Sequence, residues 1–402
     1  MANQGKLLRI TNARAIRDGK IVTGEDLYVK DGKFVDGKKI NQENHSTSEI
    51  VLDAKNAIVS PGYIDIQVNG ALGVDFTNPK TSISEGLQVV AKFLLKRGCT
   101  SFCPTVVSSH PHLYAETLDQ FVPHAGSVQY GAEVLGLHLE GPFISAQRLG
   151  AHEISTLHTA PNGLEDFERC YNFKEGKTDH ISLITVAPEV EGVMNAIPQL
   201  VKSNLVVSVG HSDATNDQAQ EAVEKGATLV THLFNAMRPF HHRDPGIIGL
   251  LVGGGKQRPY YGIICDGIHC HPNSVKLAQY SHPGGAVLVS DCASVTGLPS
   301  GIYVHGSSNT KVDKTEERVF VLGTETLAGS VITVDKCVKN FHQYTGCSIV
   351  EAIEAATLHP AQVLNITDRK GSLNVGTDAD FLFLDDEFNV QRVFVAGEEV
   401  EA

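Results

Sequence analysis

The sequence predicts an α/β protein: a (β/α)8 barrel of the TIM type, joined to a small β-sandwich built from both chain ends. Two observations carry this. From residue 58 to 367, eight apolar strand-like runs end in polar or small residues, and helical patterns separate most of them. Outside that span, residues 1–57 and 368–402 read as short strands broken by turns. Eight βα units in about 300 residues match the roughly 250 typical of such a barrel, with insertions. An open doubly wound sheet would need a Gly-rich dinucleotide turn after its first strand, and none follows GYIDIQ.

The N-terminal part runs KLLRITNARAI, LYVKDGKFV and EIVLDAKNAIVSPG, with DGK turns at Asp18 and Asp31, the pattern of an antiparallel meander. GSLNVGTDADFLFLDDEFNVQRVFVAGEEV repeats that style at the C-terminus. The eight middle runs end at Asp65, Thr105, Glu140, Ala187, His211, His232, Asp266 and Asp291. SEGLQVVAKFLLKRG reads as a helix before the second run, and NSVKLAQYS as one before the eighth. After the eighth come a hairpin-like stretch, IYVHGSSNTKVDKTEERVFVL, the turn LAGS and two helices. The second of these, SIVEAIEAATLHPAQVLNI, opens on Ser348 with Glu351 three residues on, a capping box.

A net charge of −13 argues against nucleic acid or an anionic membrane as partner, so an anionic substrate would need a local basic cluster. The eight cysteines form no C-x-x-C pair, and several fall inside strand-like runs. They read as reduced thiols of a cytosolic protein. MANQGKLLRI has no signal-peptide core, and no run approaches transmembrane length.

The candidate chemistry centres on LVVSVGHSDATNDQAQEAVEKGATLVTHLFNAM, residues 205–237. This is strand, helix, strand: two β-branched runs end on His211 and His232, and between them Thr215 and Gln218 form a capping box and Gly226 a C-cap. Strands joined by one short helix are parallel, so both imidazoles leave the same sheet edge and can share a transition metal. Glu140, just before the Gly141-Pro142 turn, is the natural third ligand. Two His and a carboxylate leave a position open for water, as in hydrolytic zinc sites. Asp291 is the candidate general base. Taken singly, Glu140 reads more readily as an ordinary strand-end carboxylate capping the next segment, and for Asp291 position alone does not decide between base and cap. MRPFHHRDPG concentrates Arg238, His241, His242 and Arg243 after His232, either as an anion clamp or as a solvated loop paired with Asp244. ICDGIHCHP adds His269 and His271, the first a candidate substrate contact and the second read also as a surface residue.

PGYIDIQVNG, HLEGPF, GHS, THLFNAM, RDPG, DGIH and LVSD together resemble the N-acetylglucosamine-6-phosphate deacetylase family of the amidohydrolase superfamily. The resemblance runs from Pro61 to GTDADF, with HLEGPF and THLFNAM its specific pair. It implies removal of acetate from N-acetyl-D-glucosamine 6-phosphate. It also implies one divalent metal per subunit on Glu140, His211 and His232, zinc by its chemistry, with iron, cobalt or manganese as alternatives. The superfamily's His-x-His at the first strand is Gln67 and Asn69 here, so a single-metal site is expected. By the same resemblance, Asp291 is base and then acid, and His152 polarises the acetamide carbonyl. Ala151, Asn235, Ala236, His242 and His269, with the Leu327-Ala328-Gly329 turn, would line the sugar phosphate. Arg243 would grip the phosphate bound by a neighbouring subunit, implying a homodimer. Two rivals are another single-metal amidohydrolase, such as a D-aminoacylase or cyclic amide hydrolase, and a catalytically dead barrel kept for binding. The basic loop weighs against the first, and the full set of ligands and base against the second.

Overall fold

The computed structural model describes residues 6–38, 49–78, 82–172, 180–253, 258–306 and 310–401. Eight parallel strands make the barrel: β1 (Tyr63–Val68), β2 (Cys99–Val107), β3 (Leu137–Glu140), β4 (Ile181–Val186), β5 (Val206–Val209), β6 (Leu229–Val230), β7 (Tyr260–Ile263) and β8 (Ala286–Leu288). Each pairs with the next in chain order. The barrel closes through the segment after β8: Asp291 N–H donates to Gln67 O at 2.9 Å, and Asn69 N–H to Cys292 O at 3.0 Å.

Helices pack outside because one face of each is apolar. In Ile83–Leu95 the buried Ile83, Leu87, Val90, Ala91 and Leu94 recur at helical spacing. Pro272–Ser281 is the helix expected before β8. Between β6 and β7 the chain makes a 3-10 turn at Gly246–Leu251.

Not every polar residue that ended an apolar run is at a strand end. Asp65 lies inside β1, buried, and its carboxylate accepts Ser290 N–H at 3.2 Å across the closing seam. Thr105 lies inside β2, where its hydroxyl accepts Val68 N–H at 2.9 Å. Both satisfy backbone donors inside the barrel wall, so they interrupt the hydropathy but not the strand.

The chain ends build two sheets. One has the order Lys33–Val35, Leu27–Lys30, Leu7–Thr11, Glu49–Asp53; the other Glu398–Glu399, Val390–Val395, Phe381–Leu384, Ile58–Pro61, Arg14–Arg17, Lys20–Thr23. They share an apolar core that includes Ile10, Val29, Phe34, Phe381 and Phe394. The expected antiparallel meander is corrected to mixed pairing. Leu7–Thr11 pairs in parallel with Glu49–Asp53, as Arg14–Arg17 does with Ile58–Pro61. The long connections between these strands permit parallel partners, which a tight turn would not.

After β8, a three-stranded antiparallel arm (Gly301–His305, Thr310–Lys314, Val319–Val321) stands where a hairpin was expected. The helix expected from Ser348 to Ile366 is two, Ile349–Glu354 and Leu358–Val363. Pro360 explains the break: lacking an N–H and clashing with the carbonyl four residues earlier, it fits only a first turn. The Ser348–Glu351 capping box is present. All eight cysteines are buried free thiols, and no described helix is long and apolar enough to cross a membrane.

Candidate active site

At the strands' carboxyl ends a cleft of about 280 Å³ gathers Glu140, His152, His211, His232, His269 and Asp291. That is near the lower limit for small-molecule sites. The backbone that delivers these groups is unusual: His211, His232, Ala236 and Asp291 have φ of 47°, 29°, 47° and 48°. Left-handed conformations in non-glycine residues cost energy and concentrate at functional sites.

Glu140 Oε1, His211 Nε2 and His232 Nε2 form a triangle with all three sides 3.0 Å. His211 donates its Nδ1 proton to Arg148 O at 2.9 Å, which leaves Nε2 as a lone pair aimed at the other two. Three acceptors converging in a buried space repel one another unless a cation or proton sits among them. A donor set of two imidazoles and one carboxylate fits a divalent transition metal. Burial opposes ionisation of Glu140, yet the two imidazoles packed against it hold its carboxyl well below the ordinary range. His152 is also near, with a ring nitrogen within 4.8 Å of Glu140 and His211 ligand atoms. The tighter triangle is the one with His232.

Gln67 and Asn69, the amides where the resemblance would put histidines, are both buried. Gln67 Nε2 donates to Glu140 Oε2 at 3.1 Å, and Asn69 Nδ2 to Asp291 Oδ1 at 2.7 Å. These amides turn their donors towards the carboxylates and orient them. Sequence reasoning saw in them only missing ligands.

Asp291 is pushed up to about 7, by burial first and then by the Glu140 carboxylate; His232, His269 and the Asn69 hydrogen bond act the other way. A carboxyl that titrates near neutrality can both take and return a proton. His152 is pushed down to about 3 by burial and then by His211, so its ring is neutral. Its Nδ1 accepts Ser108 N–H at 3.3 Å and lies 2.7 Å from Ser108 Oγ. The remaining proton is therefore on Nε2, available to a carbonyl oxygen.

Gly141 makes room for this. At φ 80°, an added Cβ would stand 2.3 Å from Ser108 Oγ, the group that holds His152.

Ala151, Asn235, Ala236, Leu327, Ala328 and Gly329 line the cleft as expected, together with His305, Glu325 and Thr326, which no sequence signal marked. The Leu327–Gly329 turn is laid against Asp291: Ser330 N–H donates to Asp291 O at 2.8 Å. His269 is held by Asp266, Nδ1 to Oδ2 at 2.6 Å.

The basic cluster is split. Arg238 is committed to Asp213 at 3.0 Å and Asp244 at 2.8 Å, so it serves the fold rather than an anion. His242 and Arg243 are exposed and do not line the cleft of their own chain. His271 caps Pro272–Ser281, its Nδ1 accepting Asn273 N–H at 3.1 Å.

The family model described as "Amidohydrolase family" matches residues 58–400. The chain is similar to N-acetylglucosamine-6-phosphate deacetylase of Danio rerio, 43% identical over 98% of this chain and 96% of that one. The Homo sapiens protein of the same name is 42% identical over the same shares. Among solved structures, a Mycobacterium smegmatis N-acetyl-D-glucosamine-6-phosphate deacetylase mutant in complex with N-acetyl-D-glucosamine-6-phosphate has a TM-score of 0.83. It is 27% identical over 99% of this chain and 100% of that one. With the barrel, the His–His–carboxylate cluster and the buried aspartate in place, the chain belongs to the amidohydrolase family and, within it, to the N-acetylglucosamine-6-phosphate deacetylases.

Proposed function

We propose that this chain hydrolyses the acetamide of N-acetyl-D-glucosamine 6-phosphate, giving acetate and D-glucosamine 6-phosphate, as a cytosolic step of amino-sugar catabolism. The observation that carries the reading is Asp291: a buried carboxylate, oriented by Asn69, that lines the same cleft as the Glu140–His211–His232 cluster and His152.

Glu140, His211 and His232 would hold one divalent metal, zinc by ligand chemistry. When bound, it supplies Lewis-acid polarisation and a lowered water pKa. Asp291 takes a proton as the water oxygen bonds to the acyl carbon. His152 donates its Nε2 proton in a hydrogen bond to the carbonyl oxygen, an interaction that strengthens as charge develops there. Asp291 then returns its proton to the nitrogen as the C–N bond breaks, leaving acetate and the free amine. Asn235, Ala236, His269 and the Leu327–Gly329 turn are positioned to contact the sugar phosphate. Arg243 of a second subunit is assigned to the phosphate, because it is exposed and outside the cleft of its own chain.

The test is acetate release by metal-loaded protein from N-acetylglucosamine 6-phosphate and, in parallel, from the unphosphorylated sugar. Release from the phosphorylated sugar alone is expected. Equal release from both would discard the phosphate clamp, and release from neither would overturn the activity.

A further inference from the structure

In the strand order of the barrel, β1 and β2 stand across from the pair β6 and β7; Asn235, Ala236 and His269 line the cleft after the latter pair, Asn69 and Val107 at the former, and His305 joins the lining from the arm after β8. Of these, His305 has no part in holding the cluster or the base. It ends the first strand of the arm after β8, and buried groups fix it in place. Its Nδ1 lies 3.5 Å from Asp75 Oδ2 and 3.4 Å from Ser294 Oγ. Gly306 N–H donates to the same Asp75 oxygen at 2.8 Å, while the other oxygen accepts Thr77 N–H at 2.9 Å. Thr77 Oγ1 in turn accepts Val107 N–H at 3.1 Å. His305 and Val107 are thus parts of one hydrogen-bonded wall. Facing a carboxylate, Nδ1 carries the ring proton, which leaves Nε2 as an acceptor for the cleft. Val107 is followed by Ser108, which holds the His152 ring, so this wall runs up to the group assigned to the carbonyl oxygen.

An N-acyl amino sugar has two ends, the sugar on nitrogen and the substituent on the acyl carbon. With the sugar phosphate towards β6 and β7, the acyl substituent falls towards β1 and β2. We propose that His305 is a specificity-determining residue for the acyl group: it walls the acyl subsite with Val107, and its Nε2 accepts a hydrogen bond from a hydroxyl there. N-glycolyl substrates are then accepted beside N-acetyl ones, Val107 serving the methyl or methylene and His305 the hydroxyl. This rests on the deacetylase reading and deepens it.

The experiment compares kcat/KM for N-acetyl- and N-glycolylglucosamine 6-phosphate in the wild type, His305→Leu, His305→Asn and His305→Gln, with a melting curve for each. One neutral hydrogen bond is worth about 0.5–1.5 kcal/mol, a factor of roughly 2 to 13. Leu and Asn, apolar and too short respectively, should each lower the glycolyl-to-acetyl ratio of kcat/KM by about twofold to thirteenfold. Gln, which keeps an acceptor at similar reach, should recover most of the ratio. Either of the first two variants suffices if the other does not fold. An active wild type whose ratio is the same in every folded variant overturns this inference and leaves the deacetylase standing. A wild type inactive on both sugars overturns the deacetylase reading, and this one with it.

Discussion

Asp291 shows how one residue acquires a function from surroundings that are remote in sequence. Burial and Glu140 raise it towards neutrality, and Asn69 fixes one oxygen. The sign of its pH dependence follows: the base must be ionised, so kcat/KM falls as pH drops through its pKa. That limb lies at or below about 7, because a cation on the cluster favours the carboxylate. Asp291→Asn should lower kcat at least 100-fold and flatten the limb, while a metal-competition assay reads near-normal affinity. Gly141→Ala is a second test at this scale. The added methyl displaces Ser108, and with it the His152 ring, so kcat should fall more than tenfold with little change in metal affinity. Glu140, His211, His232, His152 and Asp291 were legible because strand ends and motifs mark them. The orienting roles of Gln67, Asn69 and Ser108 were not. Each depends on a partner on another strand or loop, which linear order does not display.

Among the elements, the strand–helix–strand from Val206 to Val230 matched its reading closely, since its signals are local. Thr215 accepts Gln218 N–H at 3.3 Å, Gln218 Oε1 accepts Thr215 N–H at 3.0 Å, and Gly226 has φ 114°. Thr215→Ala should cost about 1 kcal/mol in denaturant unfolding and leave kcat alone. The local reading failed where polar residues serve the barrel's interior. Asp65 and Thr105 were taken as run ends, yet each completes the hydrogen bonding of a neighbouring strand. Barrel strands are buried on both faces, so their sequence lacks the alternation that would mark inside from outside. The terminal strands failed in a related way. Short β-branched segments declare themselves as strands, but the chain's return path decides which of them pair in parallel.

For the molecule as a whole, one buried ion cluster ties the terminal layers to the barrel. Lys370 Nζ lies 2.7 Å from Glu133, 3.1 Å from Asp378 and 2.5 Å from Asp380. Glu133 sits on the strand pairing with β2, whereas Asp380 directly precedes the terminal strand Phe381–Leu384. Lys370→Met would leave the buried Asp380 without its cation, while Arg369 still pairs with Glu133 and Asp378, and a loss of roughly 3–5 kcal/mol is expected in equilibrium unfolding. Subunit exchange tests Arg243 at the same scale. On the proposed pairing of subunits, Arg243→Ala and Asp291→Asn proteins should each be nearly inactive alone. Mixed and re-paired, they should recover up to about a quarter of wild-type activity, because half the dimers hold one site with both groups intact. No recovery would place Arg243 in its own subunit's site or outside catalysis.

By itself the sequence determined the element types and the barrel class, and it marked Glu140, His211, His232 and Asp291 as candidate ligands and base. Those rest on periodicity, on caps and on residues at strand ends, all of which are local. The tertiary structure alone decided which groups orient those residues, that Arg238 is spent on Asp213 and Asp244, and that His305 reaches the cleft from the arm. Each of these is a contact closed by the barrel's curvature or by a returning loop, and such contacts exist only once distant segments have packed.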